Sequence, residues 1–209
     1  MKITFVVPIL NLTGGLRVVS IYAKLLSEKG HQVTVVSPNK KTPNLKQKIK
    51  LALHWKGFSF KSKFNSSFFD EAVYEVRVLD THRPVTKNDV PDADIIIATF
   101  WNTAEWLATF PENKGRKIYF IQHHEVHSWL PVERVKATFK LPLQKIVVAQ
   151  WIADIMRDDY QQQLVTTITN AVDHKLFYAA ERLKNTQTTF GMMYSGRSYK
   201  GSQLAFECF

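Results

Sequence analysis

The feature that most constrains this chain is a strand, a helix and a second strand compressed into its first 36 residues. Lys2-Ile3-Thr4-Phe5-Val6-Val7-Pro8 is an unbroken apolar run, the pattern of a strand buried on both faces. Gly14-Gly15 open a stretch, Leu16 to Lys29, in which Val18, Ile21, Tyr22, Leu25 and Leu26 recur at helical spacing. Gly30 stands where a helix C-terminal cap belongs, and Gln32-Val33-Thr34-Val35-Val36 is the second strand. A strand–helix–strand unit of this length requires a parallel pair joined by a right-handed crossover.

The alternation resumes downstream. Val73–Leu79, Asp94–Thr99, Lys117–Gln122, Lys145–Ala149 and Val165–Ile168 read as strands, and 101–110 and 151–160 as helices. The fold class expected is therefore α/β, an open, mostly parallel Rossmann-like sheet of about six or seven strands, with ligands bound beyond the strands' carboxyl ends. Thr189–Gly196 reads as another buried strand and Gly201–Phe209 as the start of a helix. A strand and part of a helix cannot bury a core alone. The expected organisation is a Rossmann-like domain over 1–185 and the beginning of a truncated second domain over 186–209.

A single cysteine, Cys208, excludes an internal disulfide framework. No signal peptide opens the chain and no run of about 18 apolar residues could span a bilayer, so a soluble, cytoplasmic protein is expected. The net charge of +10 is local: Asn39–Phe69 holds eight lysines and no acid, and the remainder carries 20 basic and 18 acidic residues. Within it, Lys46, Lys48 and Lys50 surround apolar residues at helical spacing and Trp55 follows. Such a strip is either a solvated excursion or a dock for an anionic membrane surface. No helix-turn-helix, RNA-recognition or zinc pattern supports nucleic acid as the partner.

Two stretches carry chemistry. Asn11-Leu12-Thr13-Gly14-Gly15-Leu16 lies between the first strand and first helix, where backbone N–H groups and the helix dipole can receive an anion; a mere tight turn is the alternative. G-x-G-x-x-G and G-K-[ST] are both absent, which argues against a dehydrogenase or a P-loop enzyme. Tyr119-Phe120-Ile121-Gln122-His123-His124-Glu125-Val126-His127-Ser128-Trp129 ends a strand in three histidines and a glutamate. His123, Glu125 and His127 share a face of an extended chain, yet H-H-E-V-H is not a zincin motif and no further ligand cluster accompanies it, so no metal is expected. Imidazole and carboxylate at a strand's carboxyl end can instead orient a hydroxyl and move its proton.

Taken together, the Gly14-Gly15 loop, Lys29-Gly30-His31-Gln32-Val33-Thr34-Val35-Val36, the histidine-rich strand end, "ITNAVDHKLF" (168–177) and "MMYSGRSYKG" (192–201) resemble the group 1 retaining glycosyltransferases of the two-domain GT-B fold. The resemblance runs over nearly the whole chain. It implies transfer of a sugar from a nucleotide-diphosphate donor, a co-substrate with no further cofactor, to the hydroxyl of a glycan or lipid-linked acceptor in polysaccharide or cell-envelope glycan synthesis. By the same resemblance Gly14, Gly15, Arg197 and Lys200 match the groups that hold the donor diphosphate. His123 or His124 matches the histidine near sugar and acceptor, with Glu125 as its acceptor-side companion. That family's later acidic motif has no counterpart, so the isolated chain is expected to be the acceptor-side half and inactive. The competing expectation is a non-enzymatic carbohydrate- or membrane-surface-binding module built on this fold.

Overall fold

A computed structural model describes residues 1–41, 67–181, 187–196 and 200–208. The chain divides into two compact units, Met1–Asn170 and Ala171–Phe209. In the first, β1 (Lys2–Val6), α1 (Gly14–Glu28), β2 (Gln32–Ser37), β3 (Glu75–Val78) and β4 (Ile95–Ala98) are followed by α2 (Trp101–Ala108) and β5 (Arg116–Ile121). The unit continues through α3 (Val132–Phe139), β6 (Gln144–Val147), α4 (Gln150–Asp158) and β7 (Val165–Thr167). The seven strands form one sheet in the order β3-β2-β1-β4-β5-β6-β7, every pair parallel. This is the Rossmann-like α/β architecture expected, and its strand order reverses between β1 and β4.

Alternation along each strand builds a core on both faces. Ile3, Phe5, Val33 and Val35 point to one face, where Leu16, Val19 and Ala23 of α1 cover them. Val6, Val36, Ile96, Tyr119 and Val147 point to the other, under Leu107 of α2, Val135 and Phe139 of α3, and Ile152 and Met156 of α4. Burial on both sides explains why β1 and β2 read as continuous apolar runs. The helix α1 is where the sequence pointed, but its buried stripe is Leu16, Val19, Ser20 and Ala23, while Ile21 and Leu25 are about half exposed. Gly30 ends α1 at a φ of 83°, a left-handed cap.

Helix α3 was not expected from the sequence, although Pro131 just before it and Glu133 in its first turn are helix-start signals. Its buried residues are Val135, Thr138 and Phe139, and the threonine among them interrupts the apolar period. Gly115 enters β5 at a φ of 108°, and a Cβ there would lie 2.8 Å from the Ala93 carbonyl oxygen, so only glycine fits.

The second unit contradicts the strand expected over Thr189–Gly196: the described residues there form no strand, and Phe190, Met193 and Tyr194 are exposed. A strand needs a neighbour to take its backbone hydrogen bonds, and the unit offers none among its described residues. Its one described helix is α5 (Ser202–Glu207), whose Ser202 hydroxyl accepts the Ser195 N–H at 2.9 Å. Ala171 is not left-handed, since Gln161 is the sole non-glycine residue with positive φ among those described. No described helix is long and apolar enough to cross a membrane.

Candidate functional site

Strand order reverses between β1 and β4, so the loops leaving their carboxyl ends diverge and leave a crevice. A cleft of about 590 Å³ occupies it. One wall is the loop after β1 and the start of α1, with Asn11, Thr13 and Gly15; the opposite wall is Thr99, Asn102 and Trp106 from the end of β4 and α2. Gln122 and Glu125, just past β5, and His82 and Arg83, past β3, complete the lining.

Local hydrogen bonds hold these walls. The Asn11 side chain accepts the Thr13 N–H at 2.8 Å and so shapes the turn into α1, whose Thr13 N-cap makes no side-chain bond to the helix. The first amides of α1 are thus left without a side-chain cap. A Cβ at Gly14 would meet nothing within 4 Å, and one at Gly15 only the Gln122 side chain at 3.5 Å. Neither glycine is required by its conformation; each keeps the helix start bare. Gln122 donates to the Gly15 carbonyl at 3.1 Å and ties the tip of β5 to that start. Across the cleft, Thr103 accepts the N–H groups of Thr99 and Phe100 and closes the entry to α2. Arg83 is held in a two-pronged pair with Asp89, both contacts 2.6 Å, which pulls the Asp89 carboxyl well below its usual range.

The histidine-rich segment is sorted by the fold. Glu125 lines the cleft, half-buried, and makes no hydrogen bond or ion pair among the described residues. Burial with nothing to stabilise the anion pushes its pKa up to about 7. His124 points elsewhere: its ring packs on Phe139 and Tyr160, and Nε2 is joined to the Tyr160 hydroxyl by a 2.8 Å hydrogen bond. Burial there lowers the His124 pKa. His123 is exposed, stacked at 5.6 Å on His127 and edge-on to Trp151. His127 stacks in turn on Trp129 at 4.4 Å. Neither His123 nor His124 is among the residues lining the cleft.

Of the residues singled out in the sequence, Gly15 and Glu125 come together in one cleft, with Gly14 adjacent in the chain. Lys200 is exposed in the second unit, one residue before the left-handed Gly201. Arg197, Lys46, Lys48, Lys50 and Trp55 lie outside the described residues. Sequence reading missed Asn102, Arg83, His82 and Gln122. The Asn102 side-chain oxygen is buried without a hydrogen-bond partner among the described residues, a condition a bound hydroxyl would relieve. Only Gln122 left a trace in the sequence, as the polar residue ending an apolar strand. The others reach the cleft through connections of no fixed pattern. No family model and no curated protein matches the chain.

Proposed function

We propose that the first unit is the acceptor-side half of a retaining glycosyltransferase, which moves a sugar from a nucleotide-diphosphate donor to an acceptor hydroxyl. The observation that carries this reading is Glu125, a carboxyl titrating at about 7 in a cleft at the switch point of a Rossmann-like sheet. At neutral pH such a group exists in both protonation states, which suits it to accept the proton of an attacking hydroxyl. The unpartnered Asn102 oxygen supplies a second polar contact for the same hydroxyl. The bare start of α1 provides positive potential where a diphosphate would face this domain. An anionic membrane surface as a docking partner is part of the proposal and rests on the lysine-rich sequence alone.

Joined to the donor-binding domain of such an enzyme, the chain is expected to transfer sugar, with kcat/KM rising as pH passes through about 7 and Glu125 ionises. Glu125→Gln should lower kcat at least about 100-fold and flatten that profile. Turnover indifferent to Glu125 would overturn the role.

One observation favours a second reading, a carbohydrate-binding module without catalysis. The His123, His127, Trp129 and Trp151 rings form a connected, largely exposed aromatic group, with Trp129 63% and Trp151 47% exposed. Glycan binding lost on Trp129→Ala in a chain that never turns over would favour that module.

A further inference from the structure

The opposite, amino-terminal edge of the same sheet holds a buried cation that the proposed chemistry does not use. Lys145 is the second residue of β6 and shares a face with Val147, which belongs to the core under α3 and α4. Its side chain therefore enters from a position where an apolar residue would be ordinary, and the residue is only 2% exposed. A buried ammonium normally has a carboxylate beside it. Among the described residues Lys145 has none: Nζ donates to the Leu141 carbonyl at 2.5 Å and to Gln162 Oε1 at 2.6 Å, and forms no ion pair. An ammonium has three N–H donors, so one is left over.

The surroundings make room for a partner. A cavity of about 700 Å³ is lined by Lys145 and Gln144 of β6, Arg116 at the start of β5, Val165 and Thr166 of β7, and Gln162 of the preceding loop. No aspartate or glutamate lines it, and the Arg116 side chain is bound to nothing among the described residues. The C-terminal cap of α4 carries Gln162 to this place, with the Gln161 N–H on the Arg157 carbonyl at 3.1 Å. Gln161 takes a φ of 58°, a left-handed conformation that costs a side-chain-bearing residue about 1 kcal/mol. That turn lets the Gln162 N–H reach the Met156 carbonyl at 2.9 Å. The Gln162 side-chain amide then donates to Tyr160 O at 2.9 Å while its oxygen accepts from Lys145.

We propose that this cavity is a second binding site, which takes a compact oxyanion of a small polar molecule at the Lys145 ammonium, with the exposed Arg116 of the lining adding positive potential. Carboxylate and phosphoryl oxygens share the chemistry required: acceptors only, negative and compact. The bound anion would supply the charge that the fold withholds from Lys145. The site lies at the edge away from Glu125 and does not depend on the function of that cleft.

Calorimetric titration of the 209-residue chain with inorganic phosphate and, separately, with succinate tests it. Because the bare start of α1 could also receive phosphate, saturable binding of either anion supports the site when Lys145→Met weakens it, and the anion so affected identifies the oxyanion. Lys145→Met should weaken binding at least about tenfold and Arg116→Gln by a smaller factor. The second substitution is on an exposed side chain and leaves the core intact should the first perturb folding. A bound anion favours the ammonium form, so near pH 8 binding should take up a proton and weaken as pH rises. The titratable groups on the same face as Lys145 are its cross-strand neighbour Tyr119 and Tyr160 just past α4, both with pKa raised by burial and so neutral there, and Lys117 of β5, whose ammonium is bonded to the Phe110 carbonyl. Absence of saturable binding of both anions, or full binding by Lys145→Met, overturns the proposal.

Discussion

At the carboxyl edge of the sheet an acid, Glu125, is half-buried with its pKa raised to about 7. At the amino edge a base, Lys145, is buried with its pKa lowered to about 8. Loss of water moves both toward neutrality, in opposite directions because desolvation always penalises the charged form. The edges differ in what replaces the water. Lys145 holds two carbonyl-type acceptors at 2.5 and 2.6 Å, which fix its position, whereas Glu125 has no hydrogen-bond partner among the described residues. A tethered cation is built to hold a charge in place, and an untethered carboxyl is built to exchange a proton. The same physical cause thus yields a positioning group at one end and a proton-transfer group at the other.

The largest test removes what lies between the edges. Phe139 packs on Tyr119 and Tyr160 and on His124, and is 1% exposed. Phe139→Ala should cost about 3–5 kcal/mol in urea unfolding. Water entering the space it leaves should return the His124 pKa toward its ordinary value. A loss below about 1 kcal/mol would show that this aromatic group does not support the two edges together.

Next in size are two pH dependences of opposite sign. Glu125 binds its proton more tightly folded than unfolded, so stability falls as pH rises from 4.5 to about 7, by up to about 3 kcal/mol. Lys145 binds its proton less tightly folded, so stability rises as pH goes from about 8 to 10.5, by a comparable amount at most. Glu125→Gln should remove the first slope and leave the second, and Lys145→Met the reverse. Unfolding followed across that pH range checks both; slopes of the same sign would break the comparison.

The smallest effects sharpen the contrast between neighbouring histidines. His124→Phe loses the bond to Tyr160 and should cost about 1 kcal/mol, while His123→Ala, on an exposed ring, should stay within about 0.5 kcal/mol. Equal costs would contradict their opposite orientations.

Much of the scaffold was legible because its signals are local. Ile3, Phe5, Val33 and Val35 read as doubly buried strands, and Gly30 as a helix cap, since period and backbone conformation depend on near neighbours in the chain. The site was legible only in part. Gly15 and Glu125 could be placed at strand and helix ends, but Arg83, His82 and Asn102 come from connections whose course no periodicity encodes.

The sequence by itself determined that strands alternate with helices, that the sheet is mostly parallel, and which strand ends carry polar groups. Tertiary structure alone decided that Glu125 turns into a cleft, that His124 turns away into an aromatic pocket, and that Lys145 lies buried without a counter-ion among the described residues. It also decided that the apolar stretch Thr189–Gly196 does not become a strand. The reason is the range of the forces involved. Backbone preference and apolar periodicity act over a few residues, whereas desolvation and strand pairing depend on atoms that only the completed fold brings near.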